Sequence, residues 1–160
     1  MSMRLGLGAA LLVALADQLS KYLVLGFFAT RPALGRSVRG TDFFNLVLTW
    51  NRGMSFGLFN DGAALNTLIF SAIAAVIVIA LLVWLWRVRV PLLALAIGLV
   101  IGGAIGNVVD RLWRGAVVDF LDFHIAGWHW PAFNLADSAI CIGVGLMVID
   151  SLLARREAPN

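Results

Sequence analysis

The sequence predicts an α-helical membrane protein, with four transmembrane helices and a small extracytoplasmic β-rich region in one integral-membrane domain over residues 1–160. Three observations predict it. Apolar residues make up 61% of the chain and charged residues 13%, with a mean hydropathy of +0.94, whereas soluble domains carry about 45–50% and about 25%. Such a chain has too little polar surface to cover a core in water, and disordered, coiled-coil and fibrous classes are excluded with it. Four runs, about 5–28, 65–86, 92–109 and 135–154, each approach the ~20 apolar residues needed to cross a hydrocarbon layer about 30 Å thick. Two long segments between them collect most of the polar residues. Because backbone hydrogen bonds in lipid must close within a segment, a four-helix bundle is expected.

The first run begins like a secretory signal, with a basic residue, an apolar stretch and the small-residue triplet Ala14-Leu15-Ala16. The apolar run resumes after Asp17 and continues to Phe28, which favours a retained helix. Asp17, Gln18 and Lys21 lie in its outer part, where a charge near the bilayer centre would cost about 2.5–3.5 kcal/mol. Asp17 and Lys21 are at i,i+4 in the acid-first order and can neutralise one another. That pair reads either as structural or as the wall of a substrate cavity. Residues 41–51 are rich in aromatic and β-branched types and predict a strand. Asn51 and Arg52 open the Gly-rich stretch 51–57, whose glycines permit close backbone approach.

The second and third runs are joined by residues 87–91, and Pro91 suits a helix start. Gly98, Gly102 and Gly106 form a small-xxx-small pattern that signals close helix packing. At the outer end of this run Asn107, Asp110 and Arg111 fall within little more than one turn, a cluster suited to bonding peptide groups, bracing loops or solvating a helix end. Residues 117–125 predict a second strand. Trp50, Phe56, Phe59, Trp128, Trp130 and Phe133 supply an interfacial aromatic belt, which leaves the carboxylates among them unexplained. Asp119 sits between apolar neighbours, while Asp137, with Asn134 as N-cap, occupies the N3 position of a capping box. If the two aspartates meet in a damp cavity, like charges cannot both ionise cheaply, so one proton is shared. A shared proton supplies a general base for water and a general acid for a leaving amine.

The short turn forces both termini and residues 87–91 to one side of the membrane. Basic residues outside the spans number five there (Arg4, Arg87, Arg89, Arg155, Arg156) against six opposite (Arg31, Arg36, Arg39, Arg52, Arg111, Arg114). The count decides nothing, but the five are packed into short segments beside helix ends, which predicts cytoplasmic termini.

Other chemistries fit less well. The net charge of +3 comes from scattered basic residues rather than a stripe, which argues against nucleic acid. Cys141 has no partner for an intramolecular disulfide and reads as a packed apolar residue. His124 and His129, with Asp119 or Asp122, lack dense metal-ligand spacing, so neither metal nor cofactor is expected. Ser20, Ser55 and Ser138 have no evident activating base. Two further functions stay open on the residues alone: a proton-coupled transporter using Asp17, and a noncatalytic assembly subunit. Transport favours charges nearer the midplane than these, and an assembly role leaves the aspartates idle.

Five ordered blocks, Asp17-Gln-Leu-Ser-Lys21, Asn51-Arg-Gly-Met-Ser-Phe-Gly57, Gly102-Gly-Ala-Ile-Gly-Asn-Val-Val-Asp-Arg111, Val117-Val-Asp-Phe120 and Phe133-Asn-Leu-Ala-Asp137, together resemble the lipoprotein signal peptidases, or signal peptidase II. These are bacterial intramembrane aspartic peptidases. The resemblance implies removal of the signal peptide from diacylglyceryl-modified prolipoproteins, cleaving before the lipidated cysteine. It implies that Asp119 and Asp137 are the catalytic pair, with Asn107, Arg111 and Asn134 orienting substrate or the pair. Asp17 and Asn51, with Lys21 and Asp110 of the same blocks, would support the pocket. It further implies metal independence, membrane lipids and globomycin-type inhibitors as partners, and residence in the bacterial cytoplasmic (inner) membrane with the active site toward the extracytoplasmic face.

Overall fold

The computed structural model describes residues 2–52 and 63–157. They form α1 (Ser2–Ala29), a 3-10 turn (Pro32–Leu34), β1 (Ser37–Arg39), β2 (Phe44–Asn51), α2 (Ala63–Arg87), α3 (Pro91–Arg114), β3 (Val117–Ile125), β4 (Trp128–His129) and α4 (Leu135–Glu157). All four of these α-helices are long and apolar enough to cross a membrane. Their outward faces carry large apolar side chains such as Leu12 and Val76, which water would not support but lipid does.

α3 is the central helix, since 61% of its most apolar 18-residue window is buried, against 17%, 11% and 17% for α1, α2 and α4. Small residues make this possible. A Cβ on Gly98 would strike the backbone of Gly6, and one on Gly102 would come 2.5 Å from the Ala10 carbonyl oxygen. Gly103 lies in the same way against Ala136 at the start of α4. Between these contacts Ala10, Leu85, Ala94, Ile97 and Ile101 form the apolar core of the bundle. α3 runs on to Arg114, beyond the predicted 109, because its polar residues Asn107 and Asp110 are buried and Arg114 pairs back one turn to Asp110. Gly115 then caps it in the left-handed conformation, φ 74°, its N–H donating to the Arg111 carbonyl at 3.1 Å.

Ser2 Oγ donates to the Arg89 carbonyl at 2.6 Å, so the start of α1 and the α2–α3 turn share one end of the bundle. At the other end stands an antiparallel sheet in the order β1-β2-β3-β4. β2 begins at Phe44 rather than at 41, because the N–H groups of Gly40 and Thr41 both donate to the Phe44 carbonyl and make residues 41–43 a hairpin turn. The pairing of β2 with β3 shifts between Leu46 and Thr49. Val24, Phe28 and Phe120 bury the sheet's inner side against the end of α1. Phe133 bridges to Leu121, with N–H to carbonyl distances of 2.8 and 3.1 Å, and ties the chain entering α4 to the middle of β3. Cys141 corrects its sequence reading. It is exposed on α4, one turn beyond Asp137, rather than packed in the core.

Candidate active site

Asp119 lies on β3 opposite Thr49 and is 2% exposed. Its Oδ2 accepts from Asn51 Nδ2 at 3.0 Å and its Oδ1 from Asn134 Nδ2 at 2.7 Å. Burial pushes its pKa up to about 6; the hydrogen bonds from Asn51 and Asn134 oppose the rise and the charge of Asp137 adds to it.

Asp137 sits in the first turn of α4, and the predicted capping box is present: Asn134 Oδ1 accepts from the Asp137 N–H at 2.9 Å, and Asp137 Oδ2 accepts from the Asn134 N–H at 3.3 Å. Asp137 Oδ1 accepts from Asn107 Nδ2 at 2.7 Å. Asn134 Nδ2 also donates to Asn107 Oδ1 at 3.2 Å. The two carboxyl groups are therefore joined through two amides rather than by a direct hydrogen bond. Asp119 borders a polar cavity of ≈ 310 Å³ with Thr49, Trp50 and Arg52, while Asp137 borders an apolar cleft with Trp130, Phe133 and Cys141. Pro131 and Ala132 line both, so the pair lies where a polar and an apolar recess adjoin.

Beneath the pair is a buried charge network. Lys21 Nζ donates to Asp17 Oδ2 at 2.8 Å and Asp110 Oδ2 at 2.9 Å, with every charged atom shielded from solvent, and to Asn107 Oδ1 at 3.3 Å. Asp17 Oδ1 accepts the Ala136 N–H at 3.0 Å, so a charge on α1 holds the first turn of α4. Asp110 Oδ2 accepts the Val118 N–H at 3.0 Å, fixing β3 beside Asp119, and Asp110 Oδ1 is bonded by Arg114. Gln18 donates to Asp110 at 3.1 Å and accepts from Arg114 at 3.1 Å. Two aspartates, one lysine and one arginine leave the cluster electrically neutral, which makes its burial affordable.

The predicted Asp17–Lys21 pair is thus one edge of a larger network. Its member Arg114 was not anticipated, although its i,i+4 spacing from Asp110 is the signal that would have found it. Of the other predicted residues, Asn51, Asn107, Asp110 and Asn134 all touch the pair or its support. Arg111 does not hydrogen-bond to either aspartate; its guanidinium lies 5.7 Å from the Phe70 ring centroid, within electrostatic reach of Asp137 and Asp119. Its buried Nε has no hydrogen-bond partner among the described residues. Of the second block, Asn51 and Arg52 are described, while residues 53–57, Ser55 among them, and the belt residue Phe59 lie outside the described residues.

Asp122 stands apart, because three positions along a strand put it on the opposite face from Asp119. It accepts from Asn45 at 2.8 Å and pairs with His129 at 2.9 Å. Burial raises its pKa, but these two hydrogen bonds, with the charges of His129 and His124, outweigh burial and hold it below the ordinary value. Ser20 and Ser138 hydroxyls donate to the Asp17 and Asn134 carbonyls, so neither is set up as a nucleophile.

A family model described as "Signal peptidase (SPase) II" matches residues 9–153. The chain belongs to the signal peptidase II family. Its relatives include the "Lipoprotein signal peptidase" of Burkholderia multivorans, 47% identical over 154 residues, 95% of this chain and 90% of that one. That of Paraburkholderia phymatum is 46% identical with the same coverage. Two solved bacterial membrane enzymes, determined by the in meso method at 2.3 and 1.9 Å, superpose with TM-scores of 0.78 and 0.76 at 31% and 33% identity. They cover 97% and 92% of this chain, and this chain covers 92% of each. As a signal peptidase II the protein hydrolyses peptide bonds and removes signal peptides from prolipoproteins. With that, the transporter and assembly readings fall away; Asp17, which carried the transporter reading, is engaged by Lys21 and the Ala136 N–H.

Proposed function

We propose that this signal peptidase II is an aspartic endopeptidase whose catalytic groups are Asp119 and Asp137, cleaving diacylglyceryl-modified prolipoproteins immediately before the lipidated cysteine. The observation that carries the reading is the amide-bridged pair, in which Asn134 and Asn107 link a carboxyl from β3 to one from α4. Asp119 is raised to about 6 and is ready to hold a proton near neutrality. The ionised carboxylate takes a proton from water as it attacks the scissile carbonyl; the protonated carboxyl gives its proton to the departing amide nitrogen. The chemistry needs no metal. The polar cavity beside Asp119 suits the peptide, and the apolar cleft beside Asp137 suits acyl chains entering from the bilayer.

Asn51, Asn107 and Asn134 set the direction of the carboxyl oxygens. Asp17, Lys21 and Asp110 brace the segments that carry them, and Arg111 supplies positive charge near the developing oxyanion. The enzyme sits in the bacterial cytoplasmic membrane with both termini cytoplasmic and the pair at the extracytoplasmic end of the bundle; globomycin-type inhibitors would compete for the same recess. Purified protein incubated with a diacylglyceryl prolipoprotein tests the reading. Cleavage before the lipidated cysteine should survive chelation and fall by several orders of magnitude in Asp119→Asn and in Asp137→Asn. Retention of activity by both variants would reject it.

A further inference from the structure

Beside the peptidase pocket lies a cleft of ≈ 600 Å³ lined by Arg36, Trp50, Arg52, Arg114 and Ala116. Three guanidinium groups meet there and, among the described residues, no carboxylate lines it. Arg114 is committed to Asp110 and Gln18. Arg36 and Arg52 are exposed and, among the described residues, their side chains make no hydrogen bond or ion pair, unlike nearby Arg39, which pairs with Asp42. Both flank the β1–β2 hairpin. Arg36 leads into β1, its carbonyl accepting the Leu48 N–H at 2.9 Å, and Arg52 directly follows β2. Among the described residues, two uncompensated side-chain charges therefore flank that hairpin and face one recess.

The depth of the cleft indicates its occupant. Arg114 is the last residue of the spanning helix α3, and the neighbouring Trp113 is 77% exposed with the Arg114 guanidinium stacked on its ring at 4.8 Å. Tryptophan and arginine at the end of a spanning helix mark the headgroup level of a bilayer. We propose that this cleft binds the phosphodiester headgroup of an acidic phospholipid through Arg36 and Arg52, with Trp50 and Arg114 as its wall. A guanidinium fork matches two phosphate oxygens at once, which makes arginine the fitting residue for this anion. Because Trp50 and Arg52 also line the cavity of Asp119, the bound lipid borders the peptidase pocket. With the sidedness proposed above, that lipid belongs to the outer leaflet; binding itself does not depend on the sidedness.

The test reads lipid binding without substrate, so its failure is distinct from failure of the aspartic-peptidase reading. Full-length protein in detergent is titrated with short-chain phosphatidylglycerol, phosphatidylcholine or inorganic phosphate, and bound lipid is counted by native mass spectrometry. Phosphatidylglycerol should bind in preference to phosphatidylcholine and resist displacement by millimolar phosphate. The double change Arg36→Gln/Arg52→Gln should weaken phosphatidylglycerol binding by roughly 30-fold and leave phosphatidylcholine unaffected. Arg87→Gln/Arg89→Gln, at the opposite end of the bundle, should change neither. Arg36→Lys/Arg52→Lys keeps the charge without the fork and should lose only a few-fold, which decides the matter should the Gln variant fold poorly. Equal binding by the wild type and the Gln variant, no preference over phosphatidylcholine, displacement by free phosphate, or stronger competition by an acidic peptide than by lipid would each overturn the proposal.

Discussion

Asp119 is a carboxyl buried between amide donors, and the folded protein binds its proton more tightly than the unfolded chain, where it titrates near 3.8. The folded-state pKa is raised, so its contribution to stability is fully present below pH 3.8 and is lost as pH rises through about 6. The loss is on the order of 3 kcal/mol for a shift of this size at a site this shielded. Asp119→Asn removes that ionisation and should therefore gain stability relative to wild type as pH goes from about 4 to about 7.5, measurable by unfolding in micelles. Cleavage by the wild type should decline as pH rises above about 6, where Asp119 loses the proton that the leaving amine needs. The double variant Asp119→Asn/Asp137→Asn should lose little more activity than either single one, since groups that act as a unit are non-additive. Asp122→Asn breaks bonds to Asn45 and His129 on the other face of β3 and should retain substantial activity. An indispensable Asp122 beside a dispensable Asp119 would sink the assignment.

Three elements meet at the pair, and each is held by a distinct device. β3 is fixed by Asp110 at Val118 and by the Phe133 bridge at Leu121; α4 is held by its own capping box and by Asp17 at Ala136. Asp17→Asn leaves Lys21 with one fewer anion and weakens the hold on α4, so it should lower stability or substrate affinity while preserving turnover at saturating substrate. Complete loss of single-turnover cleavage with unchanged folding and binding would reject that role. α3 is positioned by its lack of side chains. A Cβ on Gly106 would fall 2.5 Å from Asp17 Oδ2, so Gly106→Ala should destabilise the protein by about 1–3 kcal/mol. Gly145→Ala on α4 meets nothing within 4 Å and should be neutral, a contrast that thermal unfolding of the two variants would read directly.

At the scale of the whole molecule the bundle has two chemically different ends. One gathers the start of α1 and the α2–α3 turn, joined by the Ser2–Arg89 bond, with Arg87 and Arg89 close by. The other holds the sheet, the aspartates and the arginine cleft. Reporters active only in the cytoplasm, fused after Asn160 or within residues 87–91, should both be active. Inactivity of both in a stably inserted protein would invert the proposed orientation.

The membrane class, the four helical runs, β3 and the capping box of α4 were legible in the sequence, because each follows from local physics. Apolar length sets a span, alternation and β-branching set a strand, and an Asn three residues before an Asp sets a cap. The Asp17–Lys21 pair was legible for the same reason, its partners being one turn apart. β1 and the two-residue β4 were not, since strands of that length carry no pattern of their own and exist only where β2 and β3 offer an edge. The meeting of Asp119 and Asp137 depends on long-range closure. Eighteen positions of sequence separate them (137 − 119 = 18), and it takes the Leu121–Phe133 bridge to fold one against the other. Tertiary structure likewise decided that Asp110 and Arg114 would join the α1 charges, and that Arg36, Arg52 and Arg114 would face one cleft. Buried charges must find compensation wherever the packed chain brings it, and a linear sequence does not specify which distant partner that will be.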